Sequence, residues 1–232
     1  MNPLDLYARV EDMLGVKEAA PDLYAHYLLA LQGIDFGSWL DVGCGNGDFL
    51  RQMQGAFPDV WMRGIDLSET MVAAAREQGI DAEAIDLCDV DDRYDVITAV
   101  FDVLNYLEPQ ALQRFGSCVQ DRLKEGGYFL CDVNTLYGFE EVAVGAFFAE
   151  DSERFVTVDG SFEAGEYRSD FTLFERENGA CWKPHRATIR QYEHSLKRLN
   201  DALGLRLVEE VPVQLYGEKP DKLFLVWRKA AS

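Results

Sequence analysis

The densest chemistry in this chain sits at Leu40-Asp41-Val42-Gly43-Cys44-Gly45-Asn46-Gly47. Glycines closing a short apolar run let a ligand come close to the backbone. A helix opening behind them, from Asp48 to Met53, offers free N–H groups. Such a turn alone is weak evidence, because a purely structural tight turn reads the same way. The acids that follow sharpen it. Asp66, nineteen residues after Gly47, closes a second apolar run in Gly64-Ile65-Asp66-Leu67-Ser68. A carboxylate at that spacing can accept both hydroxyls of a ribose. Asp86 closes a third run, beside Leu87, where a base attached to that ribose would lie.

Two nucleotide-type ligands compete for these residues. A dinucleotide site asks for G-x-G-x-x-G, and this chain has Gly43 and Gly45 but Asp48 in the third place. Asp41, immediately before the turn, would repel a pyrophosphate and attract a cationic amine. S-adenosylmethionine (SAM) carries such an amine and no phosphate. On these residues the chain resembles the class I SAM-dependent methyltransferases, whose first motif runs (V/L)-(L/I/V)-(D/E)-x-G-x-G-x-G. Leu123-Lys124-Glu125-Gly126-Gly127-Tyr128 is similar to the L-x-x-G-G turn that opens their fifth strand. The resemblance covers about 38–135 and is specific for fold and cofactor, not for acceptor. It implies SAM as cofactor, with S-adenosylhomocysteine (SAH) as product. Asp41 would attract the methionine amine, and Gly43, Gly45, Asn46 and Gly47 would line the methionine moiety. Asp66, with Leu67, would hold the ribose; Asp86 and the Leu87 backbone would meet the adenine, with Met71 on its face. A Met on a helix is more often core.

The acceptor end is read from Phe101-Asp102-Val103-Leu104-Asn105-Tyr106-Leu107, which resembles the F-D-x-(L/I)-N-Y-L of small-molecule methyltransferases. Phe101 and Tyr106 would form a wall, and Asp102 or Asn105 would orient the acceptor; helix capping and core packing are the bland alternatives. Asn134, in Asp132-Val133-Asn134-Thr135, would face the cleft. His185, Arg190 and Tyr192 match an H-x-x-x-x-R-x-Y segment of close relatives. His185, one of three histidines, and Tyr137 are therefore catalytic candidates beside Asp102, and Tyr7 is a lid candidate. His26 and His194 are expected on helices in solvated roles. The (N/D)-P-P-(Y/F/W) motif of amino methyltransferases acting on nucleic acids is missing, and so is a Pro-Cys nucleophile.

Apolar runs at 38–42, 61–65, 82–85, 94–101 and 128–133 alternate with helical patterns at 48–53, 71–76 and 109–123. That alternation predicts a mostly parallel sheet covered on both faces. The fold class is α/β, and the resemblance makes it a Rossmann-like seven-stranded methyltransferase sheet with a small antiparallel β insertion after the fifth strand. Residues 1–35 read as a helical cap, with Pro21 in the first turn of a helix. The SAM-binding domain is expected over 36–135 and 191–232, with a helix at 191–203 and an antiparallel final pair at 205–213 and 222–228. Residues 136–190 read as the inserted sheet, an acceptor lid or dimer contact, with hairpin turns at Asp159-Gly160 and Asn178-Gly179.

Charge narrows the partners. The 22 Lys and Arg against 41 Asp and Glu leave a net charge of −19. That field disfavours nucleic acid and anionic membranes as partners. The expected partner is a small-molecule acceptor, with N or O methylated rather than C, on a monomer or homodimer. The five cysteines form no C-x-x-C pair, which argues against a disulfide framework or a metal site and for reduced, buried thiols. No signal peptide or membrane-length apolar run is evident, so the cytoplasm is expected. The alternative to an enzyme is a SAM-binding regulator or scaffold without robust turnover, and an NAD-dependent oxidoreductase ranks behind both.

Overall fold

The computed structural model describes residues 3–177 and 181–231. Seven strands form one sheet in the order β3-β2-β1-β4-β5-β11-β10. They are β1 (Ser38–Val42), β2 (Trp61–Asp66), β3 (Ala82–Ala84), β4 (Tyr94–Ala99), β5 (Leu123–Asn134), β10 (Arg206–Val213) and β11 (Lys222–Arg228). The first five pair in parallel. β11 runs antiparallel between β5 and β10. The chain leaves β1 toward β2 and β3, then crosses back to β4 and β5. The crevice at the carboxyl ends of β1 and β4 is therefore the place where ligands bind in such sheets.

Both sheet faces are buried, as parallel strands require. Trp39, Val96, Leu130 and Val226 face one side, against α2 (Val16–Gln32) and α3 (Asp48–Gln54). Leu40, Ile97, Phe129 and Leu225 face the other, against α5 (Pro109–Arg122) and α6 (Leu196–Leu203). Trp39, Phe49, Tyr27 and Phe224 interlock edge to face along the first side. α4 (Glu69–Glu77) follows β2, with the Ser68 hydroxyl accepting from the Met71 N–H as its cap.

A second sheet, in the order β6-β7-β8-β9, follows β5. Its strands are β6 (Gly145–Glu150), β7 (Arg154–Glu163), β8 (Glu166–Glu177) and β9 (Cys181–Tyr192). All pair antiparallel. Leu6 and Val10, from α1 (Pro3–Ala8) and just beyond it, pack on Val156, Phe171, Leu173 and Ile189 as a third core. Arg154 binds Asp12 across this junction, and Arg9 binds Glu175.

Several sequence expectations need correction. Asp159-Gly160 lies inside β7; the turn falls at Ala164-Gly165, both with positive φ, and these two residues match a two-residue hairpin loop. Gly160 is instead a close-packing site, where a Cβ would come 2.4 Å from the Ala143 carbonyl. Asn178-Gly179 lies outside the described residues, although Glu177 and Cys181 pair on either side of it. Residues 191 and 192 extend β9, so the helix begins only at Leu196. Pro21 sits well inside α2, because the helix starts five residues earlier at Val16. His194 is on no helix: it is buried, with Nε2 3.1 Å from the Leu104 carbonyl and 3.0 Å from that of Leu107. Two acceptors at Nε2 place its proton there, and burial holds the ring below its ordinary basicity.

The cysteines also depart from expectation. Cys88 and Cys118 form a disulfide, joining the turn after β3 to α5, while Cys44, Cys131 and Cys181 are free. A bridge closing 30 residues is worth about 3–4 kcal/mol by loop entropy. Alkylation of the denatured, unreduced protein should therefore label three thiols, and reduction should lower Tm. Five labelled thiols in protein purified without reductant would contradict the pairing.

Candidate functional site

Every acid singled out at the strand ends reaches the same edge of the sheet. Asp41 sits on β1 beside Thr98 of β4. It is almost wholly buried; the Thr98 hydroxyl donates to Oδ1 at 2.6 Å, and Trp39 Nε1 donates to that hydroxyl at 2.8 Å. Among the described residues Oδ2 has no hydrogen-bond partner. Desolvation pushes the Asp41 carboxyl up to about 7, Thr98 opposes this and Asp66 adds to it. Asp66 organises the turn: Oδ2 accepts from the Gly45 N–H at 3.0 Å and Oδ1 from the Ser68 N–H at 2.8 Å.

The glycines divide by role. A Cβ at Gly43 or Gly47 would come 2.8 Å from Val103 or Ile80, so these two permit packing. Gly45, at φ 54°, has nothing within 4 Å of a Cβ position. That is the open backbone face a ligand needs. The Asn46 amide oxygen accepts from the Asp48 N–H at 3.0 Å and starts α3, while its Nδ2 lies 3.5 Å from Glu11. Asp86 Oδ1 accepts from the Cys88 N–H and pairs loosely with Arg114 at 3.7 Å, and among the described residues Oδ2 has no partner. Leu87 and Met71 are buried, and Leu67 is exposed. The unpaired Asp41 oxygen, the open Gly45 face and the carboxylates of Asp66 and Asp86 follow one another along one edge of the sheet.

Beyond β4 lies a cluster of acids and phenols. Phe101 and Asp102 adopt φ of 60° and 51°. The buried Asp132 carboxylate, on β5, holds them, taking the Phe101 N–H at 2.7 Å and the Asp102 N–H at 3.0 Å. Tyr27 donates to the same carboxylate at 2.8 Å. Lys222, 2% exposed, reaches Asp102 at 2.5 Å, Asn134 at 3.0 Å and Asp132 at 3.2 Å. The other Asp102 oxygen accepts from Gln191 of β9. Burial raises the Tyr7 and Tyr106 phenols, with Asp102 and Glu11 adding to it, so both stay protonated. Glu11 is pushed up to about 7, first by burial and then by Asp48. It also borders a neighbouring hollow of about 420 Å³ lined by Arg9, Lys17, Arg154 and Glu175.

Four of the other candidates lie differently from their expected placing. Asn105 is buried and stitches backbone together, donating to the Tyr192 carbonyl at 2.8 Å and accepting from the Asn134 N–H at 2.9 Å. Asn134 gives its own amide oxygen to Lys222. Tyr137 packs on the Gly217 turn with Lys219 5.5 Å from its ring centre. His185 lies six residues up β9 from Gln191, about 20 Å of strand. There it meets Glu175 at 3.0 Å, which also binds Arg9. Sequence reasoning missed Lys222, Gln191, Glu11 and Thr98. Only Thr98, opposite Asp41 in a predicted neighbouring strand, carried a local signal.

Residues 40–127 match the family described as a methyltransferase domain. A 48-residue stretch is 46% identical to the trans-aconitate 2-methyltransferases of Mycobacterium ulcerans (strain Agy99) and Mycobacterium marinum (strain ATCC BAA-535 / M). It covers 21% of this chain and only 18% of each relative's length. A SAM-dependent methyltransferase from Clostridium acetobutylicum has TM-score 0.80 at 20% identity, over 97% of this chain and 100% of that one. A sugar N-methyltransferase from a Streptoalloteichus species has TM-score 0.75 at 19% identity, over 98% and 92%. A SAM-bound amino pentose methyltransferase from Micromonospora echinaspora has TM-score 0.69 at 21% identity, over 92% and 91%. The chain thus has the fold of the SAM-dependent methyltransferases, with the methyltransferase-domain match falling on its motif-bearing residues 40–127.

Asp41 gives the ligand-free protein a signed pH dependence. Its folded carboxyl titrates near 7 against an ordinary 3.8, so between those values the folded state holds a proton that the unfolded chain releases. Stability should therefore fall as pH rises from about 4 to about 7 and level off above. Glu11 contributes with the same sign. Asp41→Asn should flatten part of that slope and stabilise the ligand-free protein at pH 8, read by thermal melts; an unchanged slope would contradict the buried carboxyl.

Proposed function

We propose that this chain is a SAM-dependent methyltransferase acting on the nitrogen of a small, amine-bearing acceptor. The observation that carries it is the charge at the sheet edge. Asp41, Asp66, Asp86, Asp102 and Asp132 gather there, and the buried cation among them, Lys222, is already neutralised by two of them. Such a cleft favours cationic ligands. SAM, when bound, supplies a methyl on a sulfonium and carries a cationic amine. Asp41 takes the amine, Gly45 lets the chain lie against the backbone, Asp66 accepts from the ribose and Asp86 from the adenine. Phe101 and Tyr106 wall the reacting end, and Tyr7 covers it.

The same charge argues on the acceptor. A polycarboxylate such as trans-aconitate would need cations, and the cluster of Asp102, Glu11 and phenols offers no free one among those groups. An amine is attracted as its ammonium and must lose a proton to attack. Glu11, near 7, is matched to take that proton around neutral pH. Asp102, with both oxygens engaged, orients rather than accepts a proton. His185 and Tyr137, held in the contacts described above, steady the second sheet and the loop before β11. The rest of the work is positioning and exclusion of water.

Calorimetry tests the cofactor assignment. SAM affinity should rise between about pH 6 and 8, because the amine needs Asp41 ionised, and binding should release protons below about 7. Asp66→Ala should weaken SAM by about 1.5–3 kcal/mol, as loss of a charged hydrogen bond does. Equal binding by wild type and variant would defeat the assignment.

SAH formation over a panel of amino sugars and aliphatic amines, against citrate and trans-aconitate, tests the acceptor. Turnover is expected with amines; turnover confined to the acids would overturn the amine reading, and SAM binding with no turnover at all would favour a regulator.

A further inference from the structure

Phe101 and Asp102 hold left-handed backbone without a glycine between them, a conformation that side-chain-bearing residues avoid unless held. Asp132 holds them, but doing so sets a wholly buried carboxylate against the Asp102 carboxylate. Two carboxylates gathered within 3.2 Å of one ammonium repel, and without that cation a proton shared between them would relieve the repulsion. Lys222 intervenes, 2.5 Å from Asp102 and 3.2 Å from Asp132. It reaches this point because β11 is antiparallel, which pairs Lys222 with Asn134 at the end of β5.

We propose that Lys222 is a positioning residue for methyl transfer: its ammonium is the counter-charge that lets Asp132 fold the Phe101–Asp102 turn against the reacting end. The same ammonium fixes the oxygen pair of Asp102, whose other oxygen receives Gln191 and so ties the second sheet to the turn. The catalytic consequence rests on the reading proposed above; the clamp itself belongs to the ligand-free protein. Other groups facing it are Tyr24 and Tyr27 from α2, Tyr7 from α1, Tyr106 after β4, Cys131 and Asn134 from β5, Tyr167 from β8, and Tyr216 and Asp221 from the loop before β11.

The test compares Lys222→Met with wild type through the amide ¹⁵N–¹H resonances of Phe101 and Asp102 in ligand-free protein. In wild type any movement between about pH 5 and 9 should be the small shift that follows Asp41 and Glu11, both pushed up to about 7, with no further step. In Lys222→Met they should move together as one proton comes to be shared by Asp102 and Asp132, and approach the wild-type positions at the acid end, where that proton stands in for the ammonium. A purely stabilising lysine would lower Tm and leave both resonances in place, and that result overturns the proposal. With an amine from the panel, kcat should fall roughly 10- to 100-fold, as a misplaced reacting geometry does, while SAM affinity stays within about twofold.

Should Lys222→Met fail to fold, the Asp102→Asn background decides. Without the Asp102 charge the lysine has less to neutralise, so the double variant should fold. A double variant that also fails to fold, beside a folded Asp102→Asn, contradicts the proposal. A wild type that binds no SAM defeats the functional reading, whereas resonances that stay in place in Lys222→Met defeat this one.

Discussion

Five aspartates end at one edge of one sheet, and the protein must hold them there without letting them repel each other apart. Each has its own solution. Asp66 spends its charge on two backbone N–H groups. Asp86 caps the turn after β3 and leans toward Arg114. Asp102 and Asp132 share Lys222. Asp41 has the Thr98 hydroxyl, and desolvation pushes its carboxyl up to about 7. The least compensated acid thus sits beside the open face of Gly45. A cation bound at that point would restore to Asp41 the charge that burial disfavours.

Topology turns this collection of charges into a site. Parallel strands share one carboxyl edge, and the reversal between β1 and β4 opens a crevice in it. The antiparallel β11 brings the buried Lys222 to that edge from the far end of the chain. The second sheet packs against the turn after β4, held by Gln191 on Asp102, by the Tyr192 carbonyl on Asn105, and by α1 packed on one of its faces. Second sheet and carboxyl edge meet at one strained turn, Phe101–Asp102.

What could be read from the sequence follows from how local each feature is. The glycine turn, Asp66 and Asp86 are legible because strand, turn and acid are neighbours in sequence. The sheet was legible because buried parallel strands are short apolar runs at regular intervals. Lys222 was not, since its role depends on the register of β11 against β5, which no pattern inside 222–228 encodes. Gln191 was hidden because β9 runs past the point where the sequence suggests a helix. The Cys88–Cys118 bridge has no motif, only proximity created by folding. His185 shows the converse: its spacing to Arg190 and Tyr192 is legible, but in a strand a matched spacing fixes a face and not a destination.

The central claim, that the carboxyl edge grips an amine, a sugar and a purine in that order, is tested most directly by a crystal structure of the protein with SAH. The account predicts the SAH amine within hydrogen-bond distance of Asp41 Oδ2, the ribose hydroxyls on Asp66 and the adenine amino group on Asp86, with the thioether pointing at Phe101. Density for SAH anywhere that leaves Asp41 and Asp66 untouched would contradict it.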